Sequence, residues 1–286
     1  MEISGRTKLI CLLGHPVEHS KSPAIHNTSV EKLGLDYRYL ACDVDRVDLR
    51  SAVEGLKTLG ARGFNLTMPL KNDVVELCDE LSDAAQILKS VNTVVIESDG
   101  RLFGHITDGY GLMEAVRTQA NISVSGSKMV LFGAGGAAVA ILAQGALDGM
   151  RQISVFCRKT SRFMPRLLDI AEEIRSRTGC IIEIHDYTEE EMRRELSDCD
   201  LLVNATNVGM APDTDKCLIE DPEMLRPGTV VADCIYHPER TKLLSMAESR
   251  GCPVVGGKYM LLYQGAEAFR LWTGSLMPVE AVLKVL

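Results

Sequence analysis

The sequence has no excess of positive charge, no long apolar run and no paired cysteines, and each absence removes a class of function. Its 286 residues carry a net charge of −8, so the sum supplies no basic surface to hold nucleic acid by its phosphates. The run Leu9–Leu13 is too brief for the core of a secretion signal and far too brief to span a bilayer, and no other stretch approaches membrane length. Nine cysteines are scattered without a Cys-x-x-Cys pair or a nearby histidine cluster. That dispersal predicts reduced thiols in a cytoplasmic protein, with no disulfide frame and no metal site. No repeat of fixed period and no low-complexity segment is present.

With 46% hydrophobic and 24% charged residues, the chain reads as a soluble globular protein with room for one large domain or two ordinary ones. Short apolar runs alternate with helix-period segments throughout, which predicts an α/β architecture with largely parallel sheets. The early strand candidates are Lys8–Leu13, Tyr37–Ala41, Gly63–Leu66 and Thr93–Ile96. Between them Leu49, Ala52, Val53 and Leu56 repeat at helical spacing, and Gly60 supplies a stop. The polar segment Asn121–Ser127 looks like a domain entrance. A second βα series follows, with strands at Lys128–Phe132, Ile153–Phe156, Ile181–Ile184, Leu201–Asn204, Thr229–Asp233 and Pro253–Val255. The expected layout is an N-terminal α/β domain over 1–108, joined by returning C-terminal helices over 261–286, and a Rossmann-type dinucleotide-binding domain over 109–260.

The strongest local signal is Gly133-Ala134-Gly135-Gly136-Ala137-Ala138, directly after the strand Lys128–Phe132 and before good helix material. The first glycine permits a tight turn, the second lets a pyrophosphate approach the backbone, and the small last position lets helix and strand pack closely. Phosphates then meet free N–H groups at the helix N-terminus. An NAD-specific site usually has an acid at the end of the next strand. Here Phe156 is followed by Cys157, Arg158, Lys159 and Arg162 with no carboxylate, which predicts NADP held by a 2′-phosphate contact, with NAD as the alternative cofactor.

Four polar clusters stand at predicted strand ends in the first half, where α/β folds place ligands. Ser20 and Ser22 precede a helix beginning about Pro23 and suit a carboxylate, although Ser22 as a plain helix cap is an equal reading. Asn65 and Thr67 share one strand face. Lys71 then stands where a helix is expected to open, an electrostatically unfavourable place for a cation that hints at a task. Ser90-Val91-Asn92-Thr93 and Gly104-His105-Ile106-Thr107-Asp108-Gly109 complete the set.

Together these clusters resemble the shikimate and quinate dehydrogenase family along nearly the whole chain. The family's G-x-P-x-x-H-S-x-S-P-x-x-H-N stretch is matched by Gly14 to Asn27, its N-x-T-x-P-x-K by Asn65 to Lys71, its V-N-T by Val91 to Thr93 and its T-D-G by Thr107 to Gly109. Farther on, Asn204 to Met210, Asp233 to Pro238 and Met260 to Ala266 match as well. Three positions depart from the usual pattern: Ile106 and Cys157 where Asn is usual, and Gly256 where Asp is common.

The resemblance implies hydride transfer between NADP and a ring carbon of shikimate, and also of quinate. It implies that Ser20 and Ser22, with Tyr236, hold the substrate carboxylate, while Asn65, Thr67, Asn92 and Gln264 hydrogen-bond the ring hydroxyls. Lys71 and Asp108 would flank the reacting hydroxyl and move its proton. Arg158 and Arg162 match the family's phosphate clamp, Gly257 and Met260 would border the nicotinamide, and Thr206 belongs to the cofactor set. Two other readings stay open: a paralogue acting on another cyclic polyol acid such as an aminoshikimate, and a non-catalytic NADP-sensing module. The expected partner is a small molecule, with neither nucleic acid nor membrane, and the assembly is open between monomer and homodimer.

Overall fold

The computed structural model describes residues 2–286, which divide into two compact units, one of residues 2–107 with Gln264–Leu286 and the other Asp108–Tyr263. The first unit begins with β1 (Lys8–Gly14), α1 (Ser22–Leu33), β2 (Tyr37–Asp43), α2 (Leu49–Thr58) and β3 (Gly63–Leu66). It continues with β4 (Glu80–Leu81), α3 (Asp83–Leu88), β5 (Thr93–Ile96) and β6 (Leu102–His105). The second unit contains α4 (Asp108–Ala120), β7 (Lys128–Phe132), α5 (Gly136–Leu147), β8 (Gln152–Phe156), α6 (Met164–Arg177), β9 (Ile181–His185) and α7 (Glu189–Leu196). It ends with β10 (Leu201–Asn204), β11 (Val230–Asp233), α8 (Lys242–Ser249) and β12 (Val254–Val255). The chain then runs through α9 (Gly257–Thr273) to the short α10 (Val279–Val282).

The sheet of the first unit has the order β2-β1-β3-β5-β6-β4. Its β2, β1 and β3 are parallel, as expected of βαβ crossovers, but β5 is antiparallel to both β3 and β6. The reason is local. Only a short turn separates β5 from β6, closed by Glu97 N–H to Arg101 O at 2.9 Å and by Gly100 at φ +86°, and a connection that short can join only antiparallel neighbours. The second sheet, β12-β11-β10-β7-β8-β9, is parallel throughout. Its central strands β7, β10 and β11 are buried at every residue, which is why they read as unbroken apolar runs instead of alternating ones.

Two expectations change. Segment 121–127 is no entrance to a unit, because α4 before it already belongs to the second unit; it is the turn leading into β7. The chain after Lys71 forms a 3-10 helix, Asp73–Leu77, in place of an α-helix. That stretch is short and carries two adjacent valines, whose branched side chains disfavour an extended α-helix.

In the first unit α9 packs against the sheet through Trp272, whose indole N–H donates to Val94 O at 2.9 Å. Gly63 makes room for it, since a Cβ there would lie 2.4 Å from the indole nitrogen. No helix among the described residues is long and apolar enough to cross a membrane.

Candidate active site

In the first unit the polar residues gather around the ends of β1, β3 and β5. β1 ends at Gly14, where an added Cβ would lie 2.2 Å from Thr67 Cγ2, so the glycine allows the loop after β1 to press against the residue that follows β3. Ser22 is the first residue of α1 and makes no side-chain cap. Instead Ser20 Oγ accepts from the Ser22 N–H at 3.2 Å. Capping thus falls to the first serine, and the Ser22 hydroxyl points to Tyr39, whose phenol it meets.

Tyr39 organises this side of the unit. Its backbone is gripped by Asn27, which donates to Tyr39 O at 2.8 Å and accepts from Tyr39 N–H at 2.9 Å. His26 stacks on its ring with centroids 4.4 Å apart. Its phenol donates to Asn65 Oδ1 at 2.7 Å, and burial pushes the phenol pKa well up, so it stays a donor. From Asn65 the chain of bonds continues. Asn65 Nδ2 donates to Asn92 O and to Thr93 Oγ1, both at 2.9 Å, and Thr93 Oγ1 donates to Asn92 Oδ1 at 3.0 Å. Asn92 Oδ1 accepts from the Thr107 N–H at 2.9 Å, and Asn92 Nδ2 donates to Thr107 Oγ1 at 3.1 Å. Every member from Tyr39 to Thr107 is buried. Such a network fixes side-chain orientation because each broken link leaves a polar group unpaired in a low-dielectric interior.

Lys71 is half-buried, and its carbonyl accepts from the Val91 N–H at 2.8 Å, which anchors it beside the residues just before β5. The structure therefore brings Lys71, Asn65, Thr67 and Asn92 into one neighbourhood of the first unit, with Ser22 reached through Tyr39. Asn65 is more committed than its sequence position suggests: both amide hydrogens and one acceptor lone pair are engaged within the protein. Gln264, half-buried in α9, belongs to the same unit. Beside it Gly265 lies against α1, where a Cβ would meet Ile25 Cγ2 at 3.4 Å.

Asp108 and Tyr236 belong to the second unit. Asp108 opens α4, where a carboxylate suits the helix dipole. Gly109 behind it is there for packing, since a Cβ would be 2.1 Å from Ala140 O and only glycine lets α4 approach α5 this closely. Tyr236 is largely exposed. Gly257 and Met260, at the start of α9, are buried, and a Cβ on Gly257 would strike the Cys234 carbonyl at 2.5 Å.

The glycine turn has the form that the sequence predicts. Gly133 adopts φ +110°, and a Cβ on it would be 2.8 Å from Ala205 O, so backbone conformation and space both demand glycine. Gly135 caps α5 without any side-chain hydrogen bond, and a Cβ at Gly135 or Gly136 would meet nothing within 4 Å. The first turn of α5, with Ala137, therefore presents its N–H groups to open space. Next to the turn lies a cavity of about 480 Å³, lined by Ala134, Arg158, Ser161, Tyr187 and Thr206 among others, and none of its lining residues is acidic. Arg162 lies over the Phe163 ring at 4.8 Å, and Arg158, Lys159 and Arg162 are all on the exposed side. An open helix N-terminus, a cavity without acidic lining and nearby cations fit a dinucleotide carrying an extra phosphate.

The loop carrying Thr206 is built around Asn204. Asn204 Oδ1 accepts from the Thr206 hydroxyl at 2.7 Å and from its N–H at 3.1 Å, while Nδ2 donates to Asp233 Oδ1 at 3.1 Å. Asp233 also accepts from the Ile235 N–H and the Thr241 hydroxyl; burial nonetheless pushes its pKa up. Sequence reasoning missed Tyr39 and Tyr187 as parts of these sites. A tyrosine within or just after a strand looks like any core aromatic, so neither carried a signal. The departing residue Cys157 is buried, and its N–H donates to His185 O at 3.0 Å; Ile106 is buried as well.

A parallel sheet with a glycine-built first turn, on one chain with a second α/β unit bearing a buried polar network and a lysine, defines the class of two-unit dinucleotide-dependent dehydrogenases. Within that class, the family described as Shikimate dehydrogenase substrate binding domain matches residues 12–94, and that described as Shikimate 5'-dehydrogenase C-terminal domain matches 259–286. The chain is 43% identical to "Shikimate dehydrogenase (NADP(+))" of Listeria monocytogenes, over 99% of this chain and 97% of that protein. It is 40% identical to "Quinate/shikimate dehydrogenase" of Escherichia coli, over 100% and 99%. The crystal structure of Shikimate 5-dehydrogenase from Listeria monocytogenes in complex with shikimate and NAD superposes with a TM-score of 0.95, at 43% identity, covering 100% of this chain and 98% of that one. The chain belongs to the shikimate dehydrogenase family.

Proposed function

We propose that this protein interconverts shikimate and 3-dehydroshikimate with NADP as the redox partner, and that it also accepts quinate. One observation carries the reading: a chain that aligns over 99% of its length with a relative named shikimate dehydrogenase (NADP(+)) keeps both the hydrogen-bonded network from Asn65 to Thr107 and the open turn at Gly133. The relative named for both quinate and shikimate supports the second substrate. NADP, when bound, supplies the nicotinamide that accepts the hydride as the ring hydroxyl becomes a carbonyl.

The rest of the work falls to the chain. Ser20 and Ser22 receive the substrate carboxylate, with Tyr236 as a further donor. Thr67, Asn92 and Gln264 meet the ring hydroxyls, and Asn65 contributes through its one remaining acceptor position. Lys71 takes the proton that the hydroxyl must lose for a carbonyl to form, and returns it in the reverse direction. Asp108 is the second proton-handling group in this assignment. On the cofactor side, Gly133 to Ala137 and Thr206 receive the pyrophosphate and ribose, Gly257 and Met260 border the nicotinamide, and Arg158, Lys159 and Arg162 offer charge to a 2′-phosphate. Nine free thiols suit a reducing, cytoplasmic setting. A homodimer is the assembly to look for by sedimentation.

The test is steady-state kinetics with shikimate and quinate, each against NADP and NAD, for the native chain and Arg158→Gln. The native chain should reduce NADP with shikimate. Arg158→Gln should raise KM for NADP about tenfold, the scale of one charge-assisted phosphate contact, and leave KM for NAD unchanged. Cofactor binding with no turnover of either acid would sink the dehydrogenase reading in favour of a sensing module.

A further inference from the structure

Away from the cofactor cavity, the edge strand β9 carries Glu183 and His185 two residues apart, so strand alternation places both on one face. Helix α7 brings Glu195 to the same place. One ligand atom from each of the three lies within 4.8 Å of the others: His185 Nε2 is 3.7 Å from Glu183 Oε2 and 4.0 Å from Glu195 Oε1. The imidazole is only 9% exposed, yet its Nε2 has no hydrogen-bond partner. A buried ring nitrogen that faces two carboxylates without bonding to either is the anomaly to explain, because buried polar atoms are ordinarily paired.

We propose that Glu183, His185 and Glu195 form a binding site for a divalent transition-metal ion of the zinc type. Zinc–nitrogen and zinc–oxygen bonds of about 2.0–2.2 Å put tetrahedral ligand atoms about 3.4 Å apart, so each carboxylate needs to approach His185 by only a few tenths of an ångström, while the two carboxylates, within 4.8 Å of each other, draw together around the ion. One imidazole among carboxylates selects zinc or cobalt over magnesium or calcium, which prefer all-oxygen sites. On the far side of the ring, His185 Nδ1 lies 3.4 Å from Arg194 Nη2 and 3.8 Å from Glu191 Oε1; with Arg194 displaced, Glu191 stands where carboxylates support ligating histidines.

Glu195 is prepared for the task by its far oxygen. Oε2 accepts from Ser154 Oγ at 2.8 Å and lies 3.0 Å from Lys128 Nζ, while Oε1, the atom facing His185, is held by Arg194 Nε at 2.8 Å. Two cations and a hydroxyl thus converge on the Glu195 carboxylate, an environment that suits its charged form. Arg194 is more than half exposed; its guanidinium occupies the place of a cation and is free to swing into solvent when an ion enters. Occupancy would tie the edge strand to α7. It would also brace the cofactor cavity, because Tyr187, two residues past His185, donates to Phe156 O at 2.9 Å and lines that cavity.

The whole chain, stripped with a chelator, is titrated calorimetrically with Zn²⁺, Co²⁺ and Mg²⁺, and the Co²⁺ complex is read by its visible absorption. The expected result is one Zn²⁺ or Co²⁺ per chain, a raised Tm, and a cobalt spectrum free of thiolate charge transfer. His185→Asn and Glu183→Gln should each weaken binding by at least about tenfold, while Arg194→Gln should tighten it by removing the competing cation. Glu183 is about half exposed, so its variant tests the site even if His185→Asn does not fold. Native affinity in both ligand variants, a thiolate band, equal binding of Mg²⁺, or no stoichiometric binding would each overturn the proposal.

Discussion

In the proposed function the two units recognise their ligands by opposite means. In the first, side chains are held by other side chains: Tyr39, Asn65, Thr93, Asn92 and Thr107 form one buried hydrogen-bonded chain. In the second, recognition falls to backbone and vacant space, with the positive φ of Gly133 and the open positions at Gly135 and Gly136. The first unit should therefore fail when an atom is removed, and the second when an atom is added.

The largest effect is expected at Lys71. Lys71→Ala should lower kcat by about 10²–10⁴-fold, the range for loss of a positioned acid–base group, with KM for shikimate changing little because the network that shapes the site remains. Unchanged turnover would remove Lys71 from proton transfer. Next in size is Asn92→Ala, which strips the Thr107 N–H and the Thr93 hydroxyl of their acceptor. Unpaired buried groups of this kind cost about 1–3 kcal/mol, so denaturant titration should show lost stability together with a fall in kcat/KM. Loss of kcat/KM at full stability would mean that Asn92 only touches substrate and holds nothing in place.

This asymmetry also explains what could be read from the sequence. A site made of backbone leaves a compact trace, because the glycines that permit it are adjacent; Gly133 to Ala138 was legible for that reason, and the buried runs of the parallel sheet for a related one. The motif positions Ser20, Lys71, Asn92 and Asp108 are assigned only through their resemblance to a family. The bonds joining Tyr39 to Asn65 and Asn65 to Thr93 were not legible, since they link residues far apart in sequence and depend on strand order. That order was itself hidden: β4 has two residues, too few for any periodicity, whereas the β5–β6 pairing has a local mark in the Asp99-Gly100 turn.

A smaller effect separates stability from binding on the cofactor side. Gly136 is the first residue of α5, and a Cβ there meets nothing. Gly136→Ala should hold stability constant or raise it by up to about 1 kcal/mol through helix propensity, yet weaken NADP by filling the space a phosphate needs. Tm and cofactor affinity would then move in opposite directions. If both fell together, the emptiness at Gly136 would be incidental and the contrast between the units would lose its clearest support.

The smallest expected effect uses pH to tell the units apart. Burial drives the His26 pKa down from 6.5 to about 3, so the unfolded chain takes up a proton that the folded first unit refuses. The stability held by neutral His26 is complete above pH 6.5 and is lost as pH falls through the window toward 3. His105, in the same unit, is lowered in the same sense by burial. His15 shifts the opposite way beside Asp43, but it is fully exposed and screened by solvent. In the second unit the matching group is Glu195, brought from 4.5 to about 2, whose contribution survives until the pH drops below 4.5. Mild acid should therefore weaken the first unit alone, by on the order of 1 kcal/mol at about pH 5.5. The only tryptophan, Trp272, lies 5.3 Å from His26 between ring centroids, so its emission reports the unit in question. Its thermal transition should move down between neutral pH and about 5.5, while NADP affinity holds. A tryptophan transition that does not move until the pH passes below 4.5 would show that burial of His26 does not govern the acid limit of the first unit.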